Sequence, residues 1–246
     1  MNGPAASGRD SARDVILARV REALTLPAPP PHGASHATAA SPTGHPALPV
    51  LPVQAARPWL PDGGDTPDER LAILTENLGR LRAGVERVPD TAAAAAWLAS
   101  LARDRGWARV AWHGHPLVAA AVAALGPAAE RVDLAASFDK HALAACDAGV
   151  TACEAVVAQT GSILVSSGSC GGRALSILPH VHVVVATVSQ VVGTLADAFD
   201  LVRERHAGRL PSMLSFITGP SRTGDIERIL VLGAHGPKEL FLLLVD

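Results

Sequence analysis

ACEAVVAQTGSILVSS, residues 152–167, is the stretch whose reading decides the fold. Ala152–Ala158 and Ser162–Ser167 are short apolar runs rich in β-branched residues, and Gln159-Thr160-Gly161 between them has the character of a hairpin turn. Working outward, Val181–Val185 reads as another buried strand, and Ser189 is placed to cap a long helix to about His206. Ile229–Leu232 and Leu240–Val245 read as closing strands. Upstream, Trp107–Trp112 reads as a strand, with helices at Pro116–Leu125 and near Phe138–Cys146. Asp90 can cap an alanine-rich helix through Arg103, which Gly106 ends. Leu71, Leu74, Leu78, Leu81, Val85 and Val88 mark one stripe on a helix opening near Pro67. Helices alternating with buried strands define an α/β fold: a mostly parallel sheet with an inserted hairpin and helices on both faces.

Ahead of this body the composition breaks. Residues 11–25 predict an amphipathic helix capped by Ser11, with Ile16, Val20 and Leu24 on one face. Between Pro27 and Pro61 fall ten of the nineteen prolines and a single charged residue, Arg57. Proline fixes φ and removes a backbone donor, so this stretch reads as an extended tether. The chain therefore divides at 1–65, a helical N-terminal arm with its tether, and 66–246, the α/β body. A helix on a tether suits an arm reaching another subunit, hence a homo-oligomer, or folding back onto the body; a frayed terminus is the plainer alternative.

Composition removes several function classes. Lys and Arg total 21 against 23 Asp and Glu, giving a net charge of −2, and aromatics are 3% with no Tyr. Neither electrostatic attraction to phosphates nor base stacking then supports nucleic-acid binding. The apolar runs Leu117–Leu125 and Val183–Val188 are far short of the roughly 20 residues of a membrane helix, and the N-terminus lacks the apolar core of a signal peptide. Cys146, Cys153 and Cys170 form no C-x-x-C pair, so no zinc or iron–sulfur motif is present, and reduced thiols in the cytoplasm are expected.

Chemistry concentrates in three loops. Ser166-Ser167-Gly168-Ser169-Cys170-Gly171-Gly172-Arg173 follows a strand and offers backbone N–H groups, hydroxyls and a guanidinium, a set suited to carboxylate or phosphate. It is neither a Walker A loop nor G-x-G-x-x-G, and a plain glycine-rich connection is the alternative. Thr218-Gly219-Pro220-Ser221-Arg222-Thr223-Gly224-Asp225 repeats that chemistry after an apolar run, and both loops are expected to line one anion-binding cleft. Asp225 serves there as an acid/base group or as a brace for Arg222. His235, between glycines, is a third candidate for acid/base work or anion donation. The pairs His113/His115 and His180/His182 read as ordinary strand-end histidines, since neither has a further ligand at motif spacing; no metal site is expected. His32, His36 and His45 are too loosely placed to rank. Cys170, beside Arg173, is a minor nucleophile candidate with a lowered pKa.

The order of these motifs carries a resemblance: residues 149–162, GVTACEAVVAQTGS; the Ser/Gly/Arg loop; 178–182, LPHVH; 218–227, TGPSRTGDIE; and 233–237, GAHGP. The series resembles the lactate utilization protein C family, whose body is the LUD domain, from about residue 66 to the end. The resemblance implies a fold similar to the sugar-phosphate isomerase and CoA-transferase-like superfamily. It also implies a role in oxidising L-lactate to pyruvate beside two partner proteins, at least one bearing iron–sulfur clusters. The family commonly has Glu where this chain has Gln159, and an amide cannot act there as nucleophile or base.

Oxidation of lactate releases two electrons, and such chemistry belongs to cofactors. The sequence has no nucleotide fingerprint, cluster cysteines or haem motif, so no cofactor is expected. The expected role is a non-redox subunit binding a small anionic ligand through Thr160, Gly161, Ser166, Ser167, Gly168, Gly171, Arg173, Thr218, Gly219, Ser221, Arg222 and Thr223. Glu154, Asp225 and His235 are the catalytic candidates. The alternatives are a stand-alone isomerase or transferase acting on a phosphorylated or CoA-linked substrate, with Glu154 or Asp225 as acid/base, and a structural paralogue that binds nothing.

Overall fold

In a computed structural model, the described residues are 60–134, 139–207, 209–223, 231–233 and 235–246, with scattered helical positions between Val15 and Thr25. The chain divides into two units, Met1–Ala56 and Arg57–Asp246. In the first, Thr25 Oγ1 donates to the Glu22 carbonyl at 2.7 Å. Ser11, the Ile16/Val20/Leu24 stripe and the proline-rich segment through residue 59 lie outside the described residues, as does Asp225.

Helix α1 (Pro67–Arg80) starts in a capping box: Thr66 Oγ1 accepts from Glu69 N, and Glu69 reaches back to the Thr66 N–H. It ends sooner than the apolar stripe predicts. Arg82 takes φ 62°, the Ala83 N–H bonds back to the Leu78 carbonyl at 2.9 Å, and the chain leaves as strand β1 (Gly84–Val88). Val85 and Val88 thus continue the helical spacing by coincidence. Gly84 is required by its neighbour, because a Cβ there would lie 2.4 Å from the Phe241 ring.

Next come α2 (Thr91–Asp104), capped by Asp90 as expected, β2 (Arg109–Trp112), α3 (Pro116–Val122), β3 (Glu130–Asp133), α4 (Lys140–Ala144) and β4 (Ala148–Thr151). The expected strand 152–158 is shorter: the chain turns at Ala152–Glu154 before β5 (Ala155–Val157), then β6 (Ser162–Ser166). After β7 (Val181–Thr187), Ser189 lies in a single 3-10 turn and does not cap the long helix. β8 (Val191–Val192) intervenes, and α5 (Leu195–His206) starts from its own capping box, Thr194 with Asp197. β9 (Leu214–Ile217), β10 (Arg222–Thr223), β11 (Val231–Leu232) and β12 (Glu239–Val245) complete the described elements.

Six strands form a parallel sheet in the order β1-β12-β7-β4-β2-β3. The hairpin does not insert into it. β5 and β6 belong to a separate sheet, β8-β5-β6-β9, in which β5–β6 and β6–β9 are antiparallel and β5–β8 parallel. Burial gives the reason: β5 and β6 are covered on both faces. One face (Val156, Ile163, Val165) joins Val184, Ala186, Leu242 and Leu244 of the parallel sheet with Leu74 and Leu78 of α1. The other (Ala155, Val157, Leu164) is covered by Ala198 and Val202 of α5. Across the parallel sheet, Val183, Val185 and Leu243 pack with Leu98 of α2 and Val118 of α3. Val, Ile and Leu side chains buried this way each contribute about 1.5–3 kcal/mol relative to exposure.

Candidate functional site

Parallel strands gather their loops at their carboxyl ends, where α/β sheets bind ligands. A cleft of about 710 Å³ lies at that edge here. One wall is His115, Pro116 and Leu117 after β2, with Thr91 at the start of α2; the other is Cys153 and Glu154 after β4, Thr187 and Gln190 after β7, Gly168 and Ser169 after β6, and Arg205 from α5.

Glu154 is the centre of that second wall. Its side chain is only 7% exposed. Oε1 accepts from Ser166 Oγ at 2.6 Å, and Oε2 accepts from Arg205 Nη1 at 2.6 Å; Nη1 also reaches the Glu154 carbonyl oxygen at 3.2 Å. Burial by itself would raise the carboxyl pKa, but the Ser166 hydroxyl and the Arg205 guanidinium outweigh it, so the acid is held below its ordinary value and stays ionised. Ser166 is held in turn, since its Oγ accepts the N–H groups of Gly168 and Ser169 at 3.1 and 3.0 Å.

His115 caps α3: Nδ1 accepts the Leu117 N–H at 3.3 Å, which leaves the ring proton on Nε2. Burial lowers its pKa, and the Glu154 charge partly opposes this. His113, buried, bonds the Ser169 carbonyl through Nε2 at 2.7 Å and sits against Gly171, where a Cβ would lie 2.8 Å from the His113 Cβ. His182 Nε2 bonds Thr151 Oγ1 at 2.8 Å. His113 and His182 thus bond within the protein. Among the described residues, no group of three or more His, Cys, Asp or Glu could hold a metal ion.

The thiols behave oppositely to the Cys170 expectation. Burial pushes the Cys170 thiol up to about 11, and Sγ donates to the Ser166 and Gly172 carbonyls at 2.9 and 3.0 Å. Burial likewise pushes Cys153 up to about 12. Arg173 is exposed and does not line the cleft.

The two glycine-rich loops are not brought together. β6 and β9 pair antiparallel, Ser166 opposite Leu214 and Ile163 opposite Ile217, so residues 166–173 and 218–223 leave opposite ends of that ribbon. Thr218 Oγ1 meets Ser162 Oγ at 2.8 Å, Thr160 Oγ1 donates to Ser162 Oγ at 2.7 Å, and Gly161 and Gly219 press on Leu81. Ser221 N donates to the Pro237 carbonyl at 2.9 Å, and its Oγ accepts the His235 N–H at 3.3 Å. Arg222 and Thr223 form β10, and His235 is exposed. This group lies where β7 and β12 begin, at the edge opposite Glu154. Gln159 is there too: its Nε2 donates to the Pro61 carbonyl at 2.6 Å, a bond an ionised Glu could not make.

Of the residues the sequence nominates, Glu154 and Gly168 line the cleft and Ser166 bonds Glu154, while His115, Gln190 and Arg205 were not nominated. His115 had a legible signal, since His-Pro between a strand and a helix marks a carboxyl-edge turn. Arg205 had none, being 51 residues from Glu154 on an ordinary helix face.

A parallel α/β sheet with an ionised glutamate–arginine pair in its carboxyl-edge cleft is the class this architecture defines. More narrowly, the chain belongs to the LUD domain family, which matches residues 71–245. It is 36% identical over 101 residues to lactate utilization protein C of Shouchella clausii, covering 41% of this chain and 44% of that one. To lactate utilization protein C of Bacillus subtilis it is 35% identical over 100 residues, covering 40% and 42%. The match thus spans less than half the length of these curated relatives. The crystal structure of a DUF162 family protein from Deinococcus radiodurans shares the fold, with a TM-score of 0.57 and 23% identity over 74% of this chain and all of that one. Among the described residues no helix is long and apolar enough to cross a membrane.

Proposed function

We propose that this LUD-domain chain is a non-redox component of an L-lactate utilization system, binding a small anionic ligand while an iron–sulfur-bearing partner takes the two electrons. The observation that carries the reading is the likeness to relatives named lactate utilization protein C. The carboxyl-edge cleft supports it by giving a small molecule a place to sit. Cys146, Cys153 and Cys170 form no C-x-x-C pair, and that spacing supports assigning the electron transfer to a partner. Deleting the gene should abolish growth on L-lactate but not on glucose, and the tagged chain should co-purify with an iron–sulfur protein. Wild-type growth of the deletant on L-lactate rejects the proposal.

A second reading, turnover by the chain alone, is favoured by one observation: an ionised carboxylate, Glu154, shares the cleft with a neutral imidazole, His115. Incubating the purified chain with sugar phosphates and CoA thioesters tests it, and product formation lost in Glu154→Gln would establish it.

A further inference from the structure

Strand β9 is an outer strand of the second sheet, paired with β6 and with no other strand among the described residues. The Ser167 N–H donates to the Met213 carbonyl at 3.0 Å, and Ser215 and Ile217 lie opposite Val165 and Ile163. Antiparallel partners exchange bonds at alternate residues, so Met213, Ser215 and Ile217 direct their backbone groups at β6. Leu214 and Phe216 therefore direct theirs outward, and these two N–H groups and two carbonyls have no partner among the described residues.

A strand edge left open in a stable monomer is normally guarded by lysine, proline or a bulge. Residues 212–218, SMLSFIT, carry no charge and no proline. On the face that holds Leu214 and Phe216, α5 adds Phe199, which is 54% exposed, with its ring 5.4 Å from that of Phe216 and tilted at 65°. Leu210, 61% exposed, precedes the strand. The charges beside Phe199 are a matched pair, Asp200 with Arg203 at 2.9 Å, so a second molecule arriving there meets no net repulsion.

A two-fold axis at Ser215 makes this edge its own complement. It sets Leu214 against the second copy's Phe216, and Phe216 against the second copy's Leu214, so the outward groups of both strands are satisfied in four hydrogen bonds. We propose that β9 is a homodimer edge, at which two copies of this chain pair antiparallel through Leu214–Ile217 and join their four-stranded sheets into one of eight strands. Both α5 helices then lie on one face of the joined sheet, and each Phe199 flanks the junction of its own Phe216 with the second copy's Leu214. A second copy is the occupant because it brings the same alternation of outward groups and the same uncharged edge. The pairing uses none of the residues that line the cleft and is independent of the proposed function.

Sedimentation of the full chain at about 100 µM, a concentration suited to a small interface, should show twice the chain mass of 25.2 kDa. Ser215 is exposed and faces its counterpart across the axis as a non-hydrogen-bonded pair, with Cα atoms about 4.5 Å apart, within reach of a disulfide. Ser215→Cys should therefore form a covalent dimer on mild oxidation. The wild-type chain, whose Cys146, Cys153 and Cys170 are all buried, should not. Ser215→Lys sets two ammonium groups against each other and should weaken the dimer about tenfold, as should Ser215→Glu with two carboxylates. Each should keep the wild-type far-ultraviolet circular dichroism, and an equimolar mixture of the two should dimerise again.

A monomeric wild-type chain overturns the proposal. If Ser215→Cys is then shielded from iodoacetamide, another segment of this chain occupies the edge; if it labels within minutes, the edge is open. A dimer that is indifferent to Ser215→Lys and forms no disulfide in Ser215→Cys places the interface elsewhere, and overturns the proposal equally.

Discussion

Acid should destabilise this protein before its carboxylates protonate, and His182 is the reason. The ring lies on β7 with no exposed surface, bonded through Nε2 to Thr151 Oγ1 at 2.8 Å, while Nδ1 has no partner among the described residues. Burial lowers its pKa from 6.5 to about 4. Above pH 6.5 the ring is neutral folded or unfolded, and the stability is undiminished. As the pH falls from 6.5 toward 4 the unfolded chain takes up a proton that the folded chain refuses, so stability is lost across that window. The gap between 6.5 and about 4, at about 1.4 kcal/mol for each tenfold change in proton affinity, amounts to about 3 kcal/mol, most of it gone by pH 4.5. Against the 5–15 kcal/mol that typically separates folded from unfolded domains, this is a large share. Urea denaturation at pH 7.5 and 4.5, on the wild-type chain and His182→Gln, isolates the effect, because losses from other groups cancel in the difference. The wild-type chain should lose about 2–3 kcal/mol more than the variant. Equal losses would refute the reasoning, as would a His182 ring resonance titrating near pH 6.5 in the folded wild-type protein.

Other substitutions probe the clasp points. Arg205→Ala leaves Glu154 buried without its cation and should cost about 2–4 kcal/mol in urea denaturation, at the lower end because the arginine is half exposed; the double change with Glu154→Gln should recover most of it. Gln159→Glu removes the donor to the Pro61 carbonyl, with an expected cost of about 1–2 kcal/mol at pH 7. That deficit should shrink as the pH is lowered through the range in which the new carboxyl protonates and can donate. Gly84→Ala drives a methyl into the Phe241 ring and should destabilise by about 1–3 kcal/mol, less in a Phe241→Leu background. In native buffer at pH 8, Cys153 and Cys170 should resist iodoacetamide for hours and react within minutes in urea, as followed by intact mass.

Which parts of this molecule were legible in the sequence follows from the range of the forces involved. Asp90 before an alanine-rich run, the Gln159-Thr160-Gly161 turn and the Gly106 stop are local devices, and each is found where the sequence places it. Failures occur where a distant contact overrides a local pattern. Val85 and Val88 keep helical spacing with Leu81, yet a left-handed Arg82 and the pairing of β1 with β12 make them strand residues. Ser189 is a good cap by composition, but Thr194 with Asp197 satisfies two backbone donors and starts α5 instead. The hairpin was legible and its sheet was not, because choosing between one sheet and two depends on burial of both faces of β5 and β6. The same limit governs the site. Glu154 and Ser166 stand out as polar residues in apolar runs of sequence, whereas Arg205 gains its role only once α5 is laid against β5.

The turn at Ala152–Glu154, where the chain passes from the parallel sheet to the second sheet, makes the cleft a pair of calipers. Thr91 and His115 ride on one jaw, Arg205 on the other, and the pivot is the apolar layer of Val156, Ile163, Val184 and Leu242 between the sheets. Close packing means that a change of side-chain volume in that layer is expected to shift one sheet against the other, and with it the spacing of the jaws. The reach of the cleft can therefore be retuned from the core, with every residue that would touch a ligand left as it is.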